Sequence, residues 1–362
     1  MQIVNYAAWI PAEKTPLEVA TAPFPDLGAN EVIIKNRAVA VNPVDWKIQA
    51  SGGFGLSYPT ILGEDVAGEI IEVGENVKGL RKGDRVIAHA LGLVNGSEYG
   101  GFQLYPRLKM ETVATIPDQL DFKQVVVLPL SISTAAAGLY LKATLGLKYP
   151  QLKSSQTSMQ ALDCRPGLAI AKEKQKTKPT LLLWGGSSSV GSSVIQLAVA
   201  SGYDVVATAS PANYSYVKSL GASLVLDYHN PDIVPILVSL LKENGTAVVG
   251  AYDAIGSDTT VRQSAAVIHG VGGGTVASVV AAPDDLPKDV KVARIGSTNI
   301  VSQESGIVAR KIWREYVATA LEIGLLKPAP PELIVGNGLN FVQGGLDRQQ
   351  SGVSARKVVI TL

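Results

Sequence analysis

Cysteine and histidine are scarce in this sequence. Its 362 residues include one cysteine, Cys164, and three histidines, His89, His229 and His269, which stand far apart along the chain. One cysteine cannot form an internal disulfide, and it cannot supply the several thiolates that a cysteine-rich zinc lobe requires. The scarcity therefore excludes a disulfide-stapled fold and the familiar structural zinc site.

The sequence also lacks an excess of either charge and lacks long apolar runs. It contains 32 lysines and arginines against 31 aspartates and glutamates, for a net charge of +1. That balance creates no overall field that would attract nucleic acid or an anionic membrane. The stretch from Met1 to Pro11 has no basic segment followed by an apolar one, and apolar runs such as 274–282 are short. We therefore predict a cytoplasmic protein with a small-molecule partner and no nucleic-acid or membrane partner.

Two hydrophobic patterns divide the chain. Residues 1–124 carry short β-branched runs separated by Gly, Pro and Asn, as in a barrel-like β domain. From about Leu181, apolar strands alternate with glycine turns and helices, which is typical of βαβ units and a parallel sheet. The predicted strands are 181–184, 204–208, 224–226, 247–252 and 275–280, and the predicted helices are 190–200, 214–220, 233–243, 259–268 and 306–323.

These patterns predict an α/β protein of two domains. A Rossmann-type doubly wound parallel sheet occupies 125–300. A β-rich domain combines 1–124 with 301–362, because the β-rich ending 357–361 is expected to return to the first domain. The polar segment 148–178 fits neither pattern and is predicted to be an insertion. It is either a solvated loop, or a subunit contact or substrate lid.

The strongest local signal is a buried strand that runs into a glycine- and serine-rich turn, LLLWGGSSSVG at 181–191. Glycines permit a tight turn and close backbone approach, and the start of the following helix attracts a pyrophosphate. Ser188 replaces the middle glycine of the strict G-x-G-x-x-G pattern, so a purely structural turn is the alternative interpretation. The βαβ context favours a dinucleotide site. Its predicted residues are Gly186, Ser187, Ser188, Ser189, Val190 and Gly191.

The residues at the end of the second predicted strand indicate whether the site favours NAD or NADPH. NAD-selective sites place Asp or Glu there to bind the ribose diol, whereas this chain reads TASPANY at 208–214, without a carboxylate. We therefore predict NADPH as the cofactor, with Ser210, Asn213, Tyr214 and Lys218 as donors to its 2′-phosphate. Ser210 and Asn213 have an alternative role as ordinary residues of a helix start.

The chain contains several spaced motifs: NPVDWK at 42–47, PTILGEDVAG at 59–68, VG at 73–74, GDRV at 83–86, YGGFQ at 99–103, VKSLGA at 217–222, and the ending from GGL at 344–346 to SARKVV at 354–359. These motifs, spread over nearly the whole chain, resemble the medium-chain dehydrogenase/reductase superfamily. The resemblance implies a Rossmann domain inserted into a GroES-like β-rich domain. WGGSSSVG at 184–191 and ASPAN at 209–213 look most like the zinc-free branch of quinone oxidoreductases and fungal trans-acting enoyl reductases of polyketide pathways.

The resemblance also bears on the metal question. Zinc-dependent members place a Cys early in the first domain and a His-Glu pair after a glycine. The corresponding positions here are Asp45 and the run Gly63, Glu64 and Asp65, which contain neither Cys nor His. The comparison implies that neither a catalytic nor a structural zinc is bound.

Without zinc as a Lewis acid, a conjugated C=C is a better hydride acceptor than a simple carbonyl. The resemblance places residues 42–47 and the Thr134 region at the nicotinamide end. It makes Lys47 a candidate donor to the carbonyl or cofactor, Asp45 its orienting partner, and Thr134 a nicotinamide contact. Each has a structural alternative, since a lysine beside Trp46 is also what an exposed surface would carry. Pro43, Tyr228, Ile255 and Val353 complete the predicted cofactor site.

We therefore expect an NADPH-dependent reductase of an enoyl or enone substrate in fungal secondary metabolism. Water is one candidate for the proton source. Two other functions fit the same residues: a carbonyl or alcohol dehydrogenase that works without metal, and an accessory protein that binds NADPH without turnover. The expected assembly is a monomer or a homodimer, with a synthase as its macromolecular partner.

Overall fold

A computed structural model describes residues 3–53, 55–152, 178–243, 245–302 and 306–362 of the chain. The predicted insertion at 148–178 lies outside these residues except for its two ends.

The first part of the chain is rich in strands, as its β-branched runs predict. Its strands are β1 (Asn5–Ile10), β2 (Glu18–Ala22), β3 (Glu31–Ala40), β4 (Thr60–Ile61), β5 (Asp65–Val73), β6 (Arg85–His89), β7 (Arg107–Lys109) and β8 (Val113–Thr115). Its helices are α1 (Pro43–Ser51), α2 (Gly92–Asn95) and α3 (Phe122–Val125), with 3-10 turns at Ser97–Tyr99 and Met110–Thr112.

The second part alternates strands and helices. It runs α4 (Pro129–Tyr140), β9 (Thr180–Trp184), α5 (Ser189–Ala200), β10 (Asp204–Ala209), a 3-10 turn (Pro211–Asn213), α6 (Tyr214–Ser219), β11 (Leu224–Asp227), α7 (Ile233–Glu243), β12 (Val248–Asp253), α8 (Asp258–Gly270), β13 (Gly274–Ser278), β14 (Val290–Arg294) and a 3-10 turn (Ser297–Val301). The chain then ends with α9 (Gly306–Ala309), a π-helical segment (Arg310–Val317), α10 (Ala318–Glu322), β15 (Glu332–Asn337), a 3-10 turn (Leu339–Phe341), α11 (Val342–Gln350) and β16 (Lys357–Thr361).

The second part forms a parallel six-stranded sheet in the order β11-β10-β9-β12-β13-β14. All five residues of β9 are buried, as expected for a central strand that helices cover on both faces. The order reverses between β10 and β12 on either side of β9. This is the doubly wound Rossmann arrangement, and it confirms the predicted fold class.

The five predicted strands correspond to β9 to β13, and the five predicted helices correspond to α5 to α8 and the helical stretch from α9 to α10. The structure adds α4 and the edge strand β14, which the sequence analysis does not predict. Helix α4 is buried on all sides, so its sequence has no amphipathic period to reveal it. The stretch Phe122–Tyr140 is long and apolar enough to cross a membrane, but most of it is buried in the core, as in a core helix of a globular protein.

The β-rich domain contains two sheets, ordered β2-β1-β4 and β15-β16-β3-β5-β6-β8, with β7 also on β3. The last strand pairs antiparallel with β3, where Val359 lies opposite Ala40. The chain therefore leaves this domain after α3 and returns to it with β15 and β16. The exact domain limits at 124 and 300 remain predictions.

Helix α4 carries Thr134 and is held from two sides. The buried Tyr252 of β12 donates a hydrogen bond from its hydroxyl to the Thr134 carbonyl at 2.7 Å. From the π-helical segment, Trp313 Nε1 donates to Ser133 Oγ at 3.1 Å. These bonds fix α4 against the Rossmann sheet and the late helix.

The first of these bonds gives a stability prediction. Tyr252→Phe removes the hydroxyl donor from the core, and we expect the free energy of unfolding to fall by about 1 kcal/mol. Urea unfolding monitored by circular dichroism measures the change. Tyr6→Phe is the matched control, because the Tyr6 side chain is exposed. Equal effects of the two substitutions would show that the bond to Thr134 contributes nothing.

Candidate active site

A cavity of about 360 Å³ lies where the carboxyl ends of β9, β10 and β12 meet. This is the reversal point of the strand order, where open α/β sheets bind their ligands. The lining brings together residues from the Rossmann domain and from the returning chain. They are Trp184, Gly185, Ser187, Ser188, Ala209, Ser210, Asn213, Tyr228, Ile255, Thr260, Val353, Ser354 and Ala355.

The glycine turn packs too tightly for side chains. Gly185 has a left-handed φ of +87°, and a Cβ atom on Gly191 would lie 2.1 Å from the Gly185 carbonyl oxygen. Ser188 caps α5 by accepting a hydrogen bond from the Gly191 N–H at 2.9 Å. The Ser188 N–H bonds the Gly185 carbonyl at 3.1 Å, so it is not a free donor for a ligand. The close approach of turn and helix leaves room for backbone alone, which is what the predicted pyrophosphate turn requires.

Polar groups without charge line the end of β10. Asn213 Nδ2 donates to Ser210 Oγ and to Ser354 Oγ, both at 3.1 Å. Ser354 belongs to the returning segment, so this contact joins the two domains at the cavity. Hydroxyl and amide groups of this kind can donate hydrogen bonds to a phosphate.

A buried carboxylate organises the opposite wall. Asp253 Oδ1 accepts hydrogen bonds from the N–H groups of Ile255 and Gly256 at 3.1 and 3.3 Å, and Oδ2 accepts from the hydroxyls of Thr260 and Ser278 at 3.1 and 3.2 Å. Burial raises the Asp253 pKa above its ordinary value, although these hydrogen bonds oppose the rise. The carboxylate thereby fixes the loop after β12, which carries Ile255 into the cavity.

Two large side chains on the cavity wall remain partly open to solvent. Ile255 is 47% exposed and Tyr228 is 42% exposed, and the Tyr228 ring lies 4.0 Å from the His229 ring. Val353 contributes a third apolar surface. Exposed apolar groups that share a concave wall with polar ones are typical of a ligand pocket.

The other predicted cofactor residues do not line this cavity. Gly186, Ser189, Val190 and Gly191 form the turn and the start of α5 behind it. Tyr214 is partly buried against the core, Lys218 is exposed on α6, and Pro43 is exposed at the start of α1. Direct contacts of Tyr214, Lys218 and Pro43 with a cofactor remain predictions.

The predicted nicotinamide end lies around α1 and α4. Thr134 is largely buried, and its hydroxyl donates to the Leu130 carbonyl at 2.7 Å. Lys47 is exposed, and its ammonium lies 5.8 Å from the centre of the Trp46 ring. The ammonium is therefore available to a ligand.

The structure corrects the expected pairing of Asp45 with Lys47. Asp45 is buried, and its carboxylate accepts the N–H groups of Asn42 and Gly63 at 2.8 and 3.2 Å. Residues two apart on a helix point to different sides, which explains why it does not reach Lys47. Burial, together with nearby Glu64 and Asp65, raises the Asp45 pKa to about 8.

The positions that correspond to zinc ligands form a buried polar cluster. Glu64 Oε2 lies 2.7 Å from His89 Nε2, and Asp65 Oδ2 lies 2.7 Å from the ammonium of Lys357. Across the described residues, no three His, Cys, Asp or Glu side chains form a group that could hold a metal ion. His89 is thus a core histidine with a carboxylate partner.

The sequence patterns did not predict several residues that line or support the cavity. Ser354 and Ala355 lie in a motif that resembles the family, but only the pairing of β16 with β3 places them at the cofactor cavity. Asp253 directly follows a predicted strand, and a carboxylate at that position is a usable signal. Its buried partner Ser278, which lies far away in sequence, gives no such signal.

Known proteins resemble this chain over its whole length. Family profiles described as "Alcohol dehydrogenase GroES-like domain" and "Zinc-binding dehydrogenase" match residues 28–118 and 189–322. Dehydrogenase orsE of Emericella nidulans is 36% identical over 359 residues, which cover 99% of each protein. Trans-enoyl reductase himH of Aspergillus japonicus is 38% identical over 364 residues, which cover 99% of this chain and 98% of the relative.

The fold also matches solved structures. An alcohol dehydrogenase superfamily protein from Novosphingobium aromaticivorans superposes with a TM-score of 0.74 at 22% identity, and the match covers 99% of both chains. At that identity the likeness concerns the fold alone. It supports the arrangement of a GroES-like domain with a Rossmann domain.

The glycine turn gives a binding prediction. A methyl group on Gly191 would displace the Gly185 carbonyl, so we expect Gly191→Ala to weaken NADPH and NADH alike by about tenfold or more. Calorimetric titration measures both affinities, with circular dichroism as the folding check. Gly344→Ala in α11 is the control, because its Cβ would meet nothing within 4 Å. Unchanged affinity in the folded Gly191→Ala protein would place the nucleotide elsewhere.

Proposed function

The chain belongs to the medium-chain dehydrogenase/reductase superfamily, and we propose that it uses NADPH, without zinc, to reduce a carbon–carbon double bond conjugated to a carbonyl. Its class as an oxidoreductase follows from that membership. The cofactor preference, the independence from zinc and the substrate class are the parts that we propose.

The lining of the cavity carries the cofactor proposal. At the end of β10 it presents Ser210, Asn213 and Ser354, and none of the described lining residues is acidic. A carboxylate there would bind the ribose diol of NADH and repel a 2′-phosphate. Neutral donors instead suit the phosphate of NADPH. The absence of an arginine in the lining leaves hydrogen bonding, rather than a salt bridge, as the means of recognition.

The name of one relative, a trans-enoyl reductase at 38% identity, supports the substrate class. A bound nicotinamide would supply a hydride to the β-carbon of the substrate, and a proton, for which water is a candidate source, would be added at the α-carbon. The residues of this chain would then bind the substrate carbonyl and orient the double bond. A trans-acting role would bring the acyl chain to this protein on a separate synthase.

Lys47 is the group that we assign to the carbonyl oxygen. It lies on α1, which starts at the predicted nicotinamide end, and its ammonium makes no ion pair among the described residues. A positive donor stabilises the negative charge that gathers on the oxygen when hydride adds to the β-carbon. We assign Thr134 to the nicotinamide contact because of the family resemblance. The hydrogen bond from Tyr252 to its carbonyl holds α4 in place.

The buried Lys357 supports independence from zinc. Its ammonium neutralises Asp65, which stands at a position corresponding to the zinc-binding region of zinc-dependent relatives. Both oxygens of Asp45, at another such position, already accept backbone N–H groups. A dication would have to compete with a fixed cation and occupied oxygens in this cluster. These contacts support the proposal that this chain binds no zinc, although the matched family is named for zinc binding.

The phosphate assignment is tested at Ser210. Ser210→Asp places a carboxylate beside the predicted 2′-phosphate, so we expect NADPH affinity to fall by about tenfold to a hundredfold while NADH affinity changes much less. Ser210→Asn is the control, because it has nearly the same shape as the aspartate without its charge. Titration of both cofactors into each variant gives the ratio. An equal loss for the two cofactors would remove Ser210 from the phosphate site.

The reaction is tested with an α,β-unsaturated ketone and its saturated counterpart. We expect NADPH oxidation with the enone only, unaffected by a zinc chelator, and a fall in kcat/KM of about tenfold to a hundredfold in Lys47→Met. Lys35→Met, on the exposed side of β3, is the control. Turnover of the saturated ketone would favour a carbonyl dehydrogenase. Binding of NADPH without turnover of any enone would favour an accessory protein.

A further inference from the structure

One buried ion pair contacts three segments that reach the candidate site. Lys357, the first residue of β16, is 3% exposed, and its ammonium lies 2.7 Å from Asp65 Oδ2. Asp65 begins β5 and is completely buried. We propose that this pair is a positioning device for the cofactor site, and not only a source of stability. The proposal rests on the cofactor site proposed above.

The first segment is the start of α1. Asn42, its N-cap residue, donates from Nδ2 to Asp65 Oδ2 at 2.7 Å and accepts a short hydrogen bond from the Lys357 ammonium. Its backbone N–H donates to Asp45 at 2.8 Å. The Asn42 side-chain amide therefore bonds both members of the ion pair. These bonds fix the position at which α1, the helix that carries Lys47, begins.

The second segment is the start of α4. Asp65 Oδ1 accepts the Leu130 N–H at 2.5 Å, in the first turn of that helix. The carboxylate thus caps α4 from another part of the chain, and a negative charge at a helix N-terminus is favourable. Leu130 lies one turn before Thr134 and accepts its hydroxyl. A shift of Asp65 would therefore move the predicted nicotinamide contact.

The third segment is the loop that enters β16. Val353, Ser354 and Ala355 line the cofactor cavity, and Lys357 follows two residues later. Ala355 has a φ of +47°, a left-handed conformation that is unfavourable for any residue other than glycine. Strain of this kind persists only where the surroundings hold it. Here the loop is held by Asn213 on one side and by the buried Lys357 side chain on the other.

The energetic cost of the pair supports a positioning role. Two buried charges lose their hydration, and an apolar pair of similar size is often equally stable or more stable. Both members here instead satisfy several partners at fixed positions: Lys357 bonds Asp65 and Asn42, and Asp65 bonds Asn42 and Leu130. Such a network specifies where the loop, α1 and α4 lie relative to one another.

Lys357→Met tests the proposal through cofactor selectivity. The loop reaches the cavity beside Ser210, so its displacement should affect the phosphate end most. We expect NADPH affinity to fall by about tenfold and NADH affinity by about threefold or less, at a temperature where circular dichroism shows folded protein. A purely stabilising pair would lower the midpoint of thermal unfolding and leave both affinities unchanged, which would overturn the proposal.

Lys109→Met is the control from another ion pair, in which the lysine is 34% exposed and Glu31 keeps Arg107 as a second partner. Lys109 lies 2.5 Å from the buried Glu31 in the same domain, and neither residue lines the cavity. We expect this variant to lose thermal stability without losing affinity for NADPH. A similar loss of affinity in Lys109→Met would show that any broken ion pair has this effect, and it would overturn the proposal.

A double variant covers the case in which Lys357→Met does not fold. Asp65→Asn combined with Lys357→Met leaves no unpaired buried charge, and the asparagine oxygen can still accept the Leu130 N–H. We expect the double variant to fold and still to bind NADPH about tenfold more weakly, because the loop has lost its link. Wild-type affinity in the folded double variant would overturn the proposal.

The wild-type protein separates the two proposals. If it binds NADH as tightly as NADPH, the proposed cofactor preference is wrong. The positioning role is then supported if Lys357→Met lowers the affinity for both cofactors and Lys109→Met lowers neither, and it is overturned otherwise. If it prefers NADPH and Lys357→Met does not differ from it, the positioning role alone fails.

Discussion

The pairing of β16 with β3 is the constraint on which the candidate site depends. The chain leaves the β-rich domain, forms the parallel sheet, and must come back to place its last strand beside β3. The segment that leads into that strand passes the carboxyl edge of the Rossmann sheet, so Val353 to Ala355 become one wall of the cavity. The candidate cofactor site is therefore lined by both domains, and its geometry depends on their relative position.

Local sequence patterns predict the part of the site that lies within a single βαβ unit. The turn from Gly185 to Gly191 is one such part, since the strand, the turn and the helix that form it are contiguous. The uncharged end of β10 is another, because Ser210 and Asn213 follow a predicted strand directly. In both places the residues proposed to bind the cofactor and the strand or helix that positions them lie within one short stretch of sequence. A local pattern can therefore predict them.

Contacts between distant segments could not be predicted in this way. Asp45 lies in a motif that suggested a partner for Lys47, yet folding brings the N–H of Gly63 to its carboxylate. Helix α4 has no polar face, so its sequence does not reveal a helix, although it carries Thr134 and is capped by Asp65. Lys357 lies among the motif residues near the chain end, and only the folded structure shows that its ammonium is buried. In each case a partner distant in sequence determines the role of the residue.

The charge chemistry of the buried cluster limits what this enzyme can do to a carbonyl. An ammonium at Lys357 carries a single positive charge, and its bonds to Asp65 and Asn42 hold it away from solvent. It has no open coordination position, so it cannot act on a substrate oxygen as a zinc ion does. Under the proposed function, polarisation must come from a group that faces the ligand, and the exposed ammonium of Lys47 is suited to that task. An enolate needs less stabilisation from such a donor than an alkoxide does, because delocalisation already removes part of the charge from the oxygen. Under the proposed function, one exposed ammonium without a metal ion therefore suits a conjugated substrate better than a simple ketone.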